Sequence, residues 1–326
     1  MRIRWVAGAA ALALVAAGCG SSGSDGGGSG SSGGNTSINV GYVPFADDAA
    51  LFLAKENGIF AKHGLNAKLT PAAAPTAIVA SMVSGQEQFG FVTTPVLINS
   101  NVRGTPIQCV STVDGRQVPD PDRDGTALVA AKGSGITGVA DLAGKRVAVV
   151  QLASLNALDM QALALRAGID PKKVTLIQLP FPQMPAALAQ GRVAAAVIVS
   201  PFLQTALKAG ATVVNHPNVE LFPGGTLFCL AATAKYLKAS PKVVSAFHDA
   251  INEATGQAKA HPEAAKATLA KYLNITPTEA QKQILSTNFD PSLDSDSIQQ
   301  MEDYMKQLGT IDQTVPPAGM LWSGAR

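Results

Sequence analysis

The sequence predicts an α/β protein of two lobes, each a mostly parallel sheet flanked by helices. Three observations carry this expectation. The chain has 326 residues, 47% hydrophobic and 15% charged, which is too long for one small core and apolar enough to fill two. Residues 80–97 (ASMVSGQEQFGFVTTPVL) repeat as 186–203 (AALAQGRVAAAVIVSPFL), pairing Gly85 with Gly191, Pro95 with Pro201 and Leu97 with Leu203. Upstream of each copy stands the same order of strand, helix and strand, so each half reads as a βαβαβ unit with right-handed crossovers between parallel strands.

The chain opens on a segment that is not fold. Arg2 and Arg4 precede an apolar run over 5–18, and the small residues Ala16, Ala17 and Gly18 lead into Cys19. A short apolar run with a basic flank and a small-residue exit reads as a secretory signal rather than a membrane span. The segment resembles a bacterial lipobox, with Ala16 where that pattern prefers Leu, and assigns residues 1–19 as a lipoprotein signal peptide with lipidation at Cys19. Residues 20–37, rich in Gly and Ser, form a flexible spacer.

The first unit runs through strand 39–44, a helix with apolar Ala50, Leu51, Leu53 and Ala54, strand 65–71, and the repeated block that ends in Thr93-Thr94-Pro95. Pro opens the next helix, where its missing N–H would be unpaired anyway. Strands 107–113 and 126–132 link the units. The second unit has strand 146–151, a helix with Leu155, Leu158, Ala162 and Leu165, strand 173–180, and the repeat ending in Ser200-Pro201. Strand 226–234 then returns, and helices 241–260, 262–273, 277–287 and 295–308 follow, opened by Ser240-Pro241 and Thr276-Pro277. Lobe 1 therefore comprises 38–126 and 226–326, and lobe 2 comprises 127–225. Two crossings make a hinge, and the carboxyl ends of the strands face each other across a cleft.

Composition excludes several function classes. Lys+Arg is 25 and Asp+Glu is 23, with no basic stripe for nucleic acid. Three cysteines are too few for a disulfide scaffold. No apolar run reaches the ~18–20 residues that span a bilayer. His63, His216, His248 and His261 have no paired-ligand spacing, so neither a metal nor any other cofactor is expected. Asp120-Pro-Asp122-Arg-Asp124-Gly125 resembles the start of a calcium loop, but Ala131 stands where the bidentate acid belongs, and a solvated turn is the expectation. Cys109 and Cys229 fall on strands that become neighbours when the chain returns; they form a disulfide or remain two buried thiols.

Several stretches together resemble the NMT1/THI5-like and sulfonate/nitrate/taurine-type substrate-binding proteins of ABC importers. These are VGYVP (40–44), LAKENGIFAKHGLNAKL (53–69), SGQEQFGF (84–91), GSGITGVADLAGKRVAV (133–149), QGRVAAAVIVSP (190–201) and HPEAAKATLAKYL (261–273). The resemblance implies a type II periplasmic-binding-protein clamshell. It also implies a monomer that delivers a solute to a membrane permease with its ATPase, lipid-anchored outside the cell membrane. Gln88 and Ala194 stand where the family often has Asp, so no carboxylate role transfers there. Two other readings stay open. A THI5-like pyrimidine-synthesis enzyme would need a cytosolic chain with a cysteine-rich motif. A ligand-sensing lipoprotein would bind without transport.

Ligand candidates are the strand ends and the helix starts after them. They are Phe45, Asp47, Thr93 and Thr94 in lobe 1, and Gln151, Ser154, Asn156, Phe181, Gln183 and Ser200 in lobe 2. Helix N-termini with Thr, Ser, Asn and Gln suit an anion or a polar heterocycle. Asp47, Thr94 and Ser154 equally suit helix capping, and Phe45 and Phe181 either stack on a ring or lid the core. Sulfonates, nitrate-like anions, thiamine-precursor pyrimidines and aromatic carboxylates all fit this set.

Overall fold

The computed structural model describes residues 34–113 and 115–325. The signal segment, Cys19 and most of the Gly/Ser spacer lie outside the described residues. In chain order the strands are β1 (Thr36–Tyr42), β2 (Leu65–Pro71), β3 (Phe89–Thr93), β4 (Ile107–Thr112), β5 (Thr126–Ala130), β6 (Arg146–Val149), β7 (Thr175–Gln178), β8 (Ala195–Val199), β9 (Thr212–Asn215) and β10 (Phe228–Thr233). They form two five-stranded sheets, ordered β2-β1-β3-β10-β4 and β7-β6-β8-β5-β9. The βαβαβ expectation holds in both: β1 pairs in parallel with β2 and β3, and β6 with β7 and β8.

Each sheet also accepts one antiparallel strand in its fourth position. In the first sheet it is β10, between β3 and β4; in the second it is β5, between β8 and β9. Both strands follow a crossing, so the chain stitches each lobe with the strand that has just arrived from the other. β1 starts at Thr36, inside the span read as spacer, because Thr36 and Ser37 pair with Leu65 and Asn66.

Close approach of helix to sheet explains two glycines. The helix Pro75–Ser84 lays Ile78 across Gly41 and Gly90, and a Cβ at either position would collide with the Ile78 side chain. Farther from the cleft, the helix Ala49–Glu56 packs against Pro241–Ala260 and Pro262–Tyr272. Phe52 stacks on Tyr272 at 4.1 Å, and Phe89 stacks on Phe247 at 3.8 Å. The terminal helices thus complete the core of lobe 1. The helix Pro241–Ala260 spans the expected residues, whereas the expected helix 277–287 stops at Gln281. The remainder is drawn out by other bonds: Val118 N–H donates to Ser286 O (2.8 Å), and Asn288 N–H donates to Arg116 O (3.0 Å). Among the described residues no helix is long and apolar enough to cross a membrane.

Gln88 supplies the turn where the resemblance would have placed a carboxylate. Its Oε1 accepts from Asn39 N–H (2.8 Å) and its Nε2 donates to Gly85 O (3.1 Å). Cys109 and Cys229 do lie on neighbouring strands, β4 and β10, with their Cα atoms 5.7 Å apart, a separation that a disulfide spans.

Candidate functional site

Between the carboxyl edges of the two sheets lies a cavity. Lobe 1 contributes Val43, Phe45, Pro75, Phe91, Thr93 and Phe228; the lobe 2 sheet and its helices contribute Thr126, Val150, Ser154, Leu155, Asn156, Phe181 and Val199. The centre of a water molecule can range over about 40 Å³ inside it. That is the space open to the centre alone, so the room for atoms is larger, and it suits a small solute such as a single ring.

Strand pleating builds the lobe 1 wall. Phe91 and Thr93 lie two apart on β3 and share a face, and β10 places Phe228 directly opposite Thr93. Phe45, at the end of the loop after β1, packs edge-on against Phe91 (5.1 Å) and Phe228 (5.3 Å). Across the cleft Phe181 is backed by Phe202 at 6.3 Å. Polar groups are few. The Thr93 hydroxyl is buried without a hydrogen-bond partner in the protein. Ser154 caps the helix Leu155–Arg166, accepting from Ala157 N–H (3.3 Å) and donating to Gln151 O (2.6 Å).

Of the ten candidate ligand residues, Phe45, Thr93, Ser154, Asn156 and Phe181 line this cavity. The other five stand elsewhere. Gln151, next in sequence to the lining residue Val150, bridges the lobes, its amide exchanging hydrogen bonds with Thr76 (2.9 and 3.2 Å). Gln183 is exposed on the turn after Phe181. Thr94, Ser200 and Asp47 stand beside the segments that cross between the sheets. The Thr94 hydroxyl donates to Thr226 O (2.7 Å), just before β10. The Ser200 hydroxyl donates to Gly125 O (3.3 Å), just before β5. Asp47 accepts from Ser286 N–H (2.7 Å), and Ser286 Oγ in turn accepts from Gly125 N–H (2.7 Å). A short chain of bonds therefore runs from lobe 1 through the first crossing into lobe 2.

Three buried acids accompany that crossing. Burial pushes the Asp47 carboxyl up to about 6, against the opposing hydrogen bond from Ser286. Burial and the Asp47 charge push Asp124 up to about 7, against the bond from Thr126 N–H. Asp159, fully buried on the helix Leu155–Arg166, lies well above its ordinary value through burial and the charge of Asp124. No group of three or more His, Cys, Asp or Glu suited to a metal occurs among the described residues. The Asp120 turn is closed by its own side chain, Asp122 N–H donating to Asp120 Oδ1 (3.1 Å).

Sequence reasoning missed Phe91 and Phe228. Their pairing depends on β10 entering beside β3, after a separation of more than a hundred residues. The one local signal was the aromatic at the start of the returning strand.

Comparison with known proteins agrees with this architecture. The alkanesulfonate-binding protein SsuA from Xanthomonas axonopodis pv. citri, bound to MOPS, superposes with a TM-score of 0.73 at 19% identity, covering 89% of this chain and 99% of that one. The ligand-binding component of an ABC-type import system from Staphylococcus aureus, with zinc bound, gives 0.76 at 15% identity, over 89% and 98%. The nitrate-binding protein NrtA from Synechocystis PCC 6803 gives 0.72 at 15% identity, over 87% and 84%. At these identities the likeness is one of fold. A curated relative, the nitrate import ATP-binding protein NrtC of Synechocystis sp., is 26% identical over 243 residues, which is 67% of this chain. The chain spans about a third of that relative's length (34%). The family described as NMT1/THI5 like matches residues 46–265. The chain therefore belongs to the NMT1/THI5-like family, and it has the two-lobed α/β periplasmic-binding-protein fold.

Proposed function

We propose that the protein is the extracytoplasmic receptor of an ABC importer. It holds one small organic solute between its lobes and presents the closed form to a permease with its ATPase. The observation that carries this reading is the cavity whose wall is shared by the carboxyl edges of both sheets, with the lobes bridged by Thr76 and Gln151. A solute there touches both lobes, and its contacts favour the closed arrangement over an open one. Phe45, Thr93, Ser154, Asn156 and Phe181 are the residues we assign to contact it, with Asp47, Thr94 and Ser200 setting the hinge. Sulfonates, nitrate-like anions and thiamine-precursor pyrimidines are the solute classes to be tested against one another, the first two being named for the structural relatives above. Cys19 carries the lipid that anchors the receptor, as a monomer, to the outer face of the cell membrane. Cys109 and Cys229 are joined as a disulfide in that oxidising compartment.

The test has two parts. Small molecules extracted from the producing cells, offered to the purified protein and identified by mass spectrometry after gel filtration, should include one that binds with one-to-one stoichiometry. Scattering with that compound at saturation should show a smaller radius of gyration. Binding without compaction would contradict the clamshell reading. For the anchor, Cys19→Ala should release the protein from the membrane fraction; retention with normal trimming would remove that assignment.

A further inference from the structure

Resting on the receptor reading, we infer that the solute is an uncharged single-ring aromatic or heteroaromatic compound bearing a hydrogen-bonding group, and that anions of the same size are excluded. The first support is the wall. Phe45, Phe91 and Phe228 converge from one side with centroids 5.1–5.6 Å apart, and Phe181 faces them from the other lobe. Aromatic faces and edges at this spacing accept a further ring by offset or edge-on packing. The space suits roughly one six-membered ring.

The second support is the charge. Among the described residues that line the cavity, none is Lys, Arg or His. A buried anion is normally held by a cation or by several charge-assisted donors, and leaving it unpaired is costly. The start of the helix Leu155–Arg166, beside Ser154 and Asn156, offers a positive dipole end. One helix end offsets only a small part of the cost of desolvating a full charge. Behind the wall the buried ionisable groups are acids, Asp47, Asp124 and Asp159. Asp124 precedes the lining residue Thr126 by two positions, and its charge acts on Asp159, one turn beyond the lining residue Leu155. Asp47 follows Phe45 by two positions and its charge acts on Asp124. None of these neighbouring groups supplies the cation that an anion in the cavity would need.

The third support is the polar inventory. The buried Thr93 hydroxyl has no hydrogen-bond partner in the protein, and it lies on the cavity wall. With the helix start opposite, it defines one neutral polar contact on each side of the ring. That pattern fits an amide, hydroxyl, amino group or ring nitrogen better than a carboxylate or sulfonate.

Matched pairs test this. Calorimetry and thermal shift would compare benzamide, benzyl alcohol and 4-aminopyrimidine with benzoate, benzenesulfonate, methanesulfonate and nitrate at pH 7.5. At least one uncharged ring should bind, and should bind at least 100-fold more tightly than every anion. Phe181→Leu should weaken that ring about tenfold while the circular-dichroism spectrum is unchanged. Thr93→Val, which keeps the shape, should do the same by removing the hydroxyl. Anions binding as tightly as the rings would overturn the inference and leave the receptor reading standing. So would an anion recovered from the cell extract described above. Failure of the rings and of the whole extract to bind folded protein would overturn both.

Discussion

Thr94 and Ser200 occupy equivalent places in the two halves, yet they are held differently. Thr94 is fully buried and its hydroxyl donates over 2.7 Å to Thr226 O. Ser200 donates over 3.3 Å to Gly125 O and also accepts from Gln204 Nε2 (3.0 Å). In both halves the backbone N–H of the same residue donates into the arriving segment, Thr94 to Leu227 O (2.9 Å) and Ser200 to Gly125 O (2.8 Å). What the repeat preserves at these positions is the stitch between strand end and crossing. The cavity wall belongs to the residues one earlier, Thr93 and Val199. The strands end at Thr93 and Val199, so the wall takes the last strand residue of each half and the stitch takes the first residue beyond it. The two crossings differ in charge as well. The first carries buried Asp124, whereas the second is flanked by Arg116 and Asp294 at 3.9 Å, both partly exposed.

The largest expected difference between the crossings is a pH effect on the first. In the unfolded chain an Asp carboxyl titrates near 3.8; in the folded chain Asp47 titrates at about 6 and Asp124 at about 7. Between those values the native state holds more protons than the unfolded state, so stability falls as pH rises. It is full below the ordinary value and is lost as pH passes through about 7. At 1.36 kcal/mol per pH unit of displacement, Asp47 and Asp124 each cost roughly 3–4 kcal/mol at neutral pH. Urea unfolding should therefore show lower stability at pH 8 than at pH 5. Asp124→Asn, which keeps an acceptor for Thr126 N–H, should remove much of that difference. Carboxyls such as Glu253 that are held low by Lys62 have finished titrating below this window. Equal slopes in the two proteins would show that Asp124 is not the source.

Gly125→Ala tests the same crossing by space. A Cβ there would meet Ser286 Oγ at 2.8 Å, the atom that accepts the Gly125 N–H. The expected loss is about 1–3 kcal/mol, and the second crossing, which carries Thr226 at the matching position, should accept Thr226→Ser with less. Thr94→Val comes next, at about 1–2 kcal/mol for a buried carbonyl left without its donor. Ser200→Ala should cost about 0.5–1 kcal/mol, since its bond is longer. Reversal of that order in thermal melts would break the comparison. Gln151→Ala, at the exposed bridge to Thr76, should leave folding within about 0.5 kcal/mol and speed solute release a few-fold in stopped flow; an unchanged release rate would remove it from closure.

Much of the fold was legible because it is local. Strand 65–71 and helix 241–260 follow from alternation, an apolar stripe and a Pro-opened start, and the structure places both as expected. The neighbouring positions of Cys109 and Cys229 followed from the return of the chain to the first sheet. The site was half legible. Ser154 and Asn156 stand at a helix start, and Phe45 and Phe181 follow strands, all of which periodicity marks. Phe91 and Phe228 become neighbours only through the inserted antiparallel strand. Ser286 reaches Asp47 over 239 residues of sequence, and it does so only because the helix that should have covered it ends at Gln281. Capping and ligand contact draw on the same residue types, so Thr94 and Ser200 could not be separated from Thr93 without the strand ends.

The adjacent pair Thr93 and Thr94 gives the most direct test of the division between wall and stitch. Calorimetric titration of the tightest-binding uncharged ring into Thr93→Val and Thr94→Val, each alongside a thermal melt, would decide it. Thr93→Val should lose about tenfold in affinity and keep the wild-type melting temperature. Thr94→Val should melt several degrees lower and keep affinity within about threefold. The opposite assignment, with Thr94→Val losing the ligand and Thr93→Val losing the fold, would contradict the account.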